Sequence, residues 1–332
     1  MGGAQATTAI EGNTLTQEQV QAQVPGRLHL PPSREYLATE VQNVINACNA
    51  IANQLREEEP RPLSAELICE WNRQILQGDV PSAEGAERGV FRKHQVMVAH
   101  YRAVPAHLVS PPVQCLCSRL DGPDFEPPKQ EFATAFAILK ATVAHLYLAW
   151  IHPFGDENGR TARLMEVFTL LRSRFPTLTA QLLSNHYNAS RAEYYRQLDR
   201  TSTSGGHIIP FLAYATRGLA DQLQEQIAMI QEQQIRIVWE TVTLEWMIIQ
   251  SKEGAERRHA LLVALAQREG FTRRSEITDL TPQLAKLYAS RTRRTLSRDL
   301  NALIQQNLIQ SNAKGDVQAN VGLLRPFIPG HL

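Results

Sequence analysis

The sequence predicts a mainly α protein in two parts, a large helical domain carrying one small β-hairpin and a smaller C-terminal domain of short helices closed by a second hairpin. Three observations predict it. Apolar residues recur at three- and four-residue steps through most of the chain, the mark of amphipathic helices. Valine-rich alternation is confined to residues 89–98 and to the C-terminal end. With 43% hydrophobic and 20% charged residues in 332 positions, the chain can bury a sizeable core, which excludes a disordered or low-complexity protein. The formal net charge of +1 excludes a chain drawn as a whole to nucleic acid or membrane, so charge has to be read segment by segment. Cys115 and Cys117 lack the two-residue gap of a redox or zinc motif, and four Cys do not make a disulfide framework; a reducing, cytoplasmic setting without a structural metal is expected. MGGAQATTAIEGNT does not read as a leader, and the window around HLYLAWIHPF reads as too short to span a bilayer, so no membrane partner is expected.

Residues 1–35 are polar and interrupted by Pro25, Pro31 and Pro32, and are expected to form a short helix in TLTQEQVQAQV tethered outside the core. The main domain is placed at 36–235. From Ser33 to Glu58, Leu37, Val41, Val44, Cys48, Ile51 and Leu55 line one helical face, and SAELICEWNRQILQ follows with Ser64 as N-cap and Gly78 as its end. VFRKHQVMVAHY suits a hairpin, and PPVQCLCSRLDGPDFEPP reads as a proline-rich connection. Helices are then expected at 129–150, 159–174, 190–200 and 208–234. The one-sided apolar stretch 235–252 continues as a connector into the segment 236–332. There the order is a helix RRHALLVALAQ, a helix capped by Ser275, a short helix after Thr281-Pro282, the helix TRRTLSRDLNALIQQN, and a hairpin turning at Lys-Gly-Asp.

The sharpest feature is HPFGDENGRTAR, residues 152–163, between two apolar helices. Pro153 and Gly155 break the first helix and Asn158-Gly159 open the second, whose unpaired amides and positive dipole end form an anion site. Arg160 and Arg163 share a face of its first turn, where cations are unfavourable unless an anion joins them. Asp156 supplies a hard oxygen of the kind that holds Mg²⁺ beside phosphates. His152 is the nearby group suited to accepting a proton near neutrality. Together these parts serve a hydroxyl attacking a metal-bound nucleotide phosphate. His94, His100, His107 and His145 read as surface or core positions without metal spacing.

This stretch resembles the signature of the Fic (Fic/Doc) family, H-x-F-x-D/E-G-N-G-R-x-x-R, at every defined position but one: Glu157 stands where the pattern has its first Gly. The resemblance implies a Fic-type helical fold with a hairpin flap. It makes His152 the general base, Phe154 the anchor of the loop and Asp156 the Mg²⁺ ligand. Asn158, Gly159 and Arg160 would hold the phosphates, and Arg163 would orient the terminal phosphate of ATP. The implied reaction is AMP transfer from ATP to a Ser, Thr or Tyr hydroxyl of a protein target. ERGVFRKHQVMV resembles the flap that pairs with the target backbone, and RAEYYRQL the segment closing over the base, with Tyr194 or Tyr195 lining that pocket.

TTAIEGN, residues 7–13, resembles the family's inhibitory motif S/T-x-x-x-E-G/N, placed ahead of the catalytic domain as in class II members. It implies that Glu11 pairs with Arg163 where the γ-phosphate would sit, restraining the enzyme; the same glutamate serving AMP removal with water is the alternative. The C-terminal segment looks like a winged helix-turn-helix. Between Lys286 and Arg298 it has Lys286, Arg291, Arg293, Arg294 and Arg298 and no acidic residue, a run that fits contact with DNA as well as protein docking. A DNA-binding regulator whose Fic domain senses nucleotide is therefore a further reading, and family analogy allows a homodimer.

Overall fold

A computed structural model describes residues 2–23, 27–57, 61–98, 101–250 and 254–327. The chain divides into two compact units, Met1–Gln224 and Glu225–Leu332.

The first unit opens with α1 (Gly2–Ile10) and α2 (Gln17–Gln23). Here the structure corrects the sequence reading: α1 belongs to the core. Ala4, Ala6, Thr7, Thr8 and Ile10 are buried in it, because its small residues allow close approach; a side chain at Gly3 would strike Gln181. The segment's overall polarity concealed this. Next come α3 (Glu35–Glu57) and α4 (Ala65–Ile75), both near their expected bounds. Ser64 caps α4 by accepting the Leu67 amide at 3.2 Å, and α4 buries Leu67, Ile68, Trp71, Asn72 and Ile75.

The hairpin lies further along than expected. Its strands are β1 (Met97–Val98) and β2 (Tyr101–Arg102), antiparallel with Met97 opposite Arg102, while residues 99–100 and the expected position of His100 lie outside the described residues. The reason is that Phe91 pairs instead with Phe154 of the 152–163 loop. The proline-rich connection also contains a helix, α5 (Ser110–Leu120). Its prolines occupy the first turn, where a missing N–H costs nothing, so they start the helix rather than prevent it.

α6 (Ala133–Ile151) and α7 (Asn158–Arg172) follow, packed on each other through the centre of the unit. The apolar stretch Gln130–Ile151 is long enough to cross a membrane by length and composition, which corrects the reading of this window as too short. Here Ala137, Ala141, Ala144, Leu146 and Leu148 are buried in the protein core. α7 is buried nearly all round, so its polar side chains must be satisfied from within. Trp71 of α4 tilts onto Phe168 of α7 with ring centroids 5.1 Å apart. α8 (Thr177–Ala180), α9 (Leu182–Ala189) and α10 (Arg191–Thr203) complete the packing, of which the sequence reading foresaw only α10.

The expected helix and connector from 208 to 252 form one helix, α11 (Ile209–Gln250), and the unit boundary falls within it. No glycine or proline after Gly218 breaks its periodicity.

In the second unit α12 (Ala255–Ala266), α13 (Pro282–Tyr288) and α14 (Arg293–Gln305) precede an antiparallel hairpin of β3 (Ile309–Ser311) and β4 (Val317–Ala319), with Gln310 opposite Gln318. Trp239, Leu261, Leu262, Leu265, Leu300 and Leu303 are among the residues of its core. The helix expected after Ser275 is a single 3-10 turn, Ile277–Asp279, without a side-chain cap. Thr281-Pro282 leaves it no room, and Thr281 instead caps α13 by accepting the Leu284 amide at 3.1 Å. The β3–β4 turn forms as expected: Asn312 Oδ1 accepts the amides of Lys314 and Asp316, and Gly315 takes a positive φ of 83°.

Candidate active site

α6 ends where His152 adopts the left-handed conformation (φ 51°) and its amide donates to the Leu148 carbonyl at 3.0 Å. That places the imidazole against the end of its own helix, with Nδ1 3.2 Å from the Ala149 carbonyl. A carbonyl only accepts, so Nδ1 carries the proton and Nε2 presents a lone pair, the tautomer a general base needs. Burial lowers the His152 pKa from its ordinary value, as does Arg92, against a raising influence of the Ala149 carbonyl.

The loop after His152 is held by hydrogen bonds at every step. Asn158 Oδ1 accepts the Phe154 amide at 2.8 Å and its Nδ2 donates to the Phe154 carbonyl at 2.9 Å. Asp156 accepts the Glu157 amide at 2.8 Å on one oxygen and the Ala83 amide at 2.7 Å on the other. The Asn158 side chain is spent on the loop, which leaves its backbone N–H as the group expected to meet a phosphate.

Glu157 occupies the left-handed region at φ 61°. A family pattern with Gly there has a plain physical reason, because glycine takes this conformation without steric cost. The Glu157 carboxylate turns inward and pairs with Arg160 at 3.0 Å. Burial raises its pKa to about 8, although Arg160 opposes the shift. Arg160 is also bonded to Glu40 at 3.0 Å and is buried. Its side chain braces α7 against α3.

No side chain caps the first turn of α7. Its amides are free to meet an anion, and Glu11 supplies one. A Cβ placed on Gly159 would collide with Glu11 Oε1, so the carboxylate lies directly over the helix start. The same oxygen accepts from Arg163 Nη2 at 2.6 Å. Thr7, one helical turn before Glu11, accepts from Arg163 through its hydroxyl and, at 3.1 Å, through its carbonyl. The spacing T-x-x-x-E is thus the i, i+4 repeat of α1 aimed at one buried guanidinium. Gly12 follows at φ 101°, with its amide bonded to Ala9 O and that of Asn13 to Thr8 O, each at 3.1 Å. This is a Schellman stop, which explains a Gly or Asn after the glutamate.

Burial pushes the Glu11 carboxyl up, but Arg163, Arg160 and Arg191 together hold it below its ordinary value. Burial likewise opposes the Arg163 charge, and Glu11, Tyr194 and Tyr195 more than restore it.

Beside this pair lies a cleft of about 220 Å³ lined by Glu11, His152, Gly159, Tyr194, Tyr195 and Leu198 among others. Tyr195 is exposed toward it, and its hydroxyl donates to the Ile10 carbonyl at 3.2 Å, so the predicted base-pocket residue also steadies the end of α1. Tyr194 is fixed behind it by a 3.0 Å hydrogen bond to His145, which is therefore a core residue, as expected.

Three positioning residues escaped the sequence reading. Arg92 donates to the His152 carbonyl at 2.7 Å, and its own amide donates to the Pro153 carbonyl at 2.9 Å, tying flap to loop. Asn72 donates to the Asp156 carbonyl at 3.1 Å and accepts the Gly89 amide at 2.9 Å. Glu40 joins Arg160 to Asn13, whose amide lies 2.9 Å away. Nothing local marks these residues; the nearest signal was the position of Arg92 inside the flap segment.

A histidine at a helix end, an uncapped helix start and a guanidinium one turn beyond are thus gathered in one helical site. Residues 62–170 match the Fic/DOC family model, so the chain carries a Fic domain. It is 29% identical over 221 residues to protein adenylyltransferase fic-1 of Caenorhabditis elegans, covering 67% of this chain and 40% of that protein. It is 27% identical over 211 residues to protein adenylyltransferase Fic of Nematostella vectensis, covering 64% and 45%. The chain thus spans less than half the length of these curated relatives. A Fic-1 structure from C. elegans superposes with a TM-score of 0.50 at 28% identity, covering 67% of this chain and 61% of that one. A Fic family protein from Desulfovibrio desulfuricans shares the fold over 96% of this chain and 85% of that chain, with a TM-score of 0.55 at 21% identity.

Proposed function

We propose that this chain transfers AMP from ATP to a hydroxyl side chain of a protein, and that Glu11 restrains it. The observation that carries the reading is the pairing of His152, with its Nε2 lone pair presented, and an anion site at α7 already filled by the Glu11 carboxylate. The activity named for the Caenorhabditis and Nematostella relatives supports it.

In this mechanism the target hydroxyl attacks the α-phosphorus while His152 Nε2 takes its proton. The bond from the α-phosphorus to the bridging oxygen breaks, and diphosphate leaves. The free amides at Asn158 and Gly159 and the Arg163 guanidinium align the phosphates, the step that in-line displacement depends on. With Glu11 in place that anion site is occupied, so ATP binds poorly or with its α-phosphate out of line. The Asp156 oxygens each accept a single amide, which leaves lone pairs for a cation, and no cluster of three or more ligating side chains occurs among the described residues. That donor set suits Mg²⁺ held by one carboxylate together with substrate phosphates, with Asp156 as its protein ligand. When bound, the ion would neutralise charge on the departing diphosphate.

The test is label transfer from α-labelled ATP with Mg²⁺ to a protein lysate. Wild type, Glu11→Gly, and Glu11→Gly with His152→Ala are compared. Strong labelling by the single variant, lost in the double variant, is the expected result. Labelling that falls when Glu11 is removed, or AMP removal from a pre-modified target that needs Glu11, would replace this reading with the hydrolytic one.

A further inference from the structure

The second unit holds a charge imbalance that the AMP-transfer reading does not use. From 255 to 327 the sequence has twelve Lys and Arg against six Asp and Glu, although the whole chain is nearly neutral. The excess is gathered on one surface. Lys286, Arg291, Arg293, Arg294 and Arg298 are all exposed, and none of them forms an ion pair among the described residues. Of the acids nearby, Asp299 is buried against Arg257 at 3.0 Å and Tyr288 at 2.9 Å, and Glu276 faces Arg273 at 3.6 Å, so that Asp279 is the one exposed carboxylate among the described residues lining the groove beside these cations. Arg293 and Arg294 crowd the positive end of α14, which has no acidic residue in its first turn. Unpaired cations there repel the helix dipole until an anion arrives.

The residue types along α14 narrow the choice of anion. Arg294, Arg298, Asn301 and Gln305 fall at i, i+4, i+7 and i+11, and all four are exposed on one face. The opposite face, Leu300 and Leu303 with Leu296 and Ile304, is packed into the core and fixes the orientation of the stripe. Arginine and the two amides are the side chains that hydrogen-bond base edges in a major groove, guanine for the first and adenine for the others. Asn301 and Gln305 each offer a donor beside an acceptor, a pairing that matches an adenine edge and that an acidic protein surface would use only through the N–H₂ group, and the helix does not enter the deep, narrow groove of duplex RNA. A groove of about 530 Å³ lined by Arg274, Arg291, Arg293, Ser275 and Ser297 runs beside the start of the helix, a place for backbone phosphates. Lys314, exposed at the tip of the β3–β4 turn, adds a cation on a separate projection of the same unit.

We infer that α14 and the β3–β4 turn form a duplex-DNA-binding surface, with Arg294, Arg298, Asn301 and Gln305 facing the major groove and Lys286, Arg291, Arg293 and Lys314 on phosphates. This rests on charge and residue placement in the second unit alone, so it stands or falls independently of AMP transfer.

The experiment is fluorescence anisotropy of the full chain with a labelled mixed-sequence DNA duplex, titrated at increasing salt. Each neutralised phosphate contributes a slope of about −0.9 in log K against log salt, so the four phosphate contacts give a slope of roughly −3.6. The double variant Arg291→Gln with Arg293→Gln should shrink that slope by about 2, and Lys314→Gln by about 1, whereas Arg294→Gln with Arg298→Gln should weaken binding and leave the slope nearly unchanged. Lys129→Gln, an exposed lysine of the first unit, should change neither. The side chains altered are exposed, and an unchanged melting temperature shows that each variant is folded. Absence of binding at about 50 mM salt would overturn the inference, as would a slope unaffected by the Arg291, Arg293 and Lys314 variants or an affinity unaffected by the Arg294 and Arg298 variant. Equal competition by duplex RNA or by a polyglutamate peptide would overturn it in favour of a non-selective polyanion surface.

Discussion

Replacing Glu11 by Ala removes the carboxylate over Gly159 and leaves Arg163 with Thr7 alone. The lost contact is one charge-assisted hydrogen bond of 2.6 Å between a fully buried guanidinium and a carboxylate that is 31% exposed. Such a bond is worth about 2 kcal/mol, the lower half of its usual range being appropriate to the wetter partner. In the wild type a nucleotide phosphate must displace this contact, so the variant should bind ATP with Mg²⁺ about thirtyfold more tightly. Without nucleotide the same change costs stability, on the order of 1–3 kcal/mol, because Nη2 loses its charged acceptor in a buried place. Two assays read these opposite signs. Calorimetric titration with ATP should show the gain in affinity. Thermal unfolding should show a lower midpoint for the free variant and a larger upward shift on adding ATP than in the wild type. A folded variant with wild-type ATP affinity would refute the argument that Glu11 occupies the phosphate site.

His152→Ala should abolish label transfer in the Glu11→Gly background while altering stability little, since the hydrogen bond of its ring reaches back to its own helix; transfer and melting measurements check both. Asn158→Ala deletes both bonds to Phe154 in a buried loop and should cost about 2–4 kcal/mol, measured by urea unfolding, with activity lost in step. The activity of Glu11→Gly should persist as pH falls to 6.5 and fail only below it. The His152 pKa is depressed, so the neutral base survives to lower pH, and removing Glu11 takes away one influence that raises it. A pH–rate profile with its acid limb above 6.5 would contradict that assignment. Gly12→Val forces a β-branched side chain into φ 101° and should loosen the end of α1, raising basal AMP transfer while lowering the melting temperature.

The helices were legible where their apolar spacing is regular, as in α3, α4, α6, α7 and α14. They were missed where the signal was compositional. α1 is built of Gly, Ala and Thr and shows no apolar stripe, whereas the stripe of α5, Val113, Leu116, Cys117 and Leu120, follows Ser110-Pro111-Pro112 and was hidden by the prolines that open the helix. The candidate site was legible because HPFGDENGRTAR is contiguous, and a contiguous loop between two helices keeps His152, Asp156 and the start of α7 within reach of one another.

What the sequence by itself determined is the identity of those groups, while the partnership of Glu11 with Arg163 was implied only by the resemblance of two short motifs to a family pattern. That Thr7 and Glu11 share a face became visible once residues 2–10 proved to be a helix. The tertiary structure decided which of the charged groups is available. Arg160 and Arg163 are equivalent in sequence, both in the opening turns of α7, yet Arg160 is spent on Glu40 and Glu157 whereas Arg163 meets Thr7 and Glu11. That difference depends on where α3 and α1 pack against α7. A buried cation is claimed by whichever carboxylate the fold brings within a few ångströms, because desolvation makes every alternative cost more.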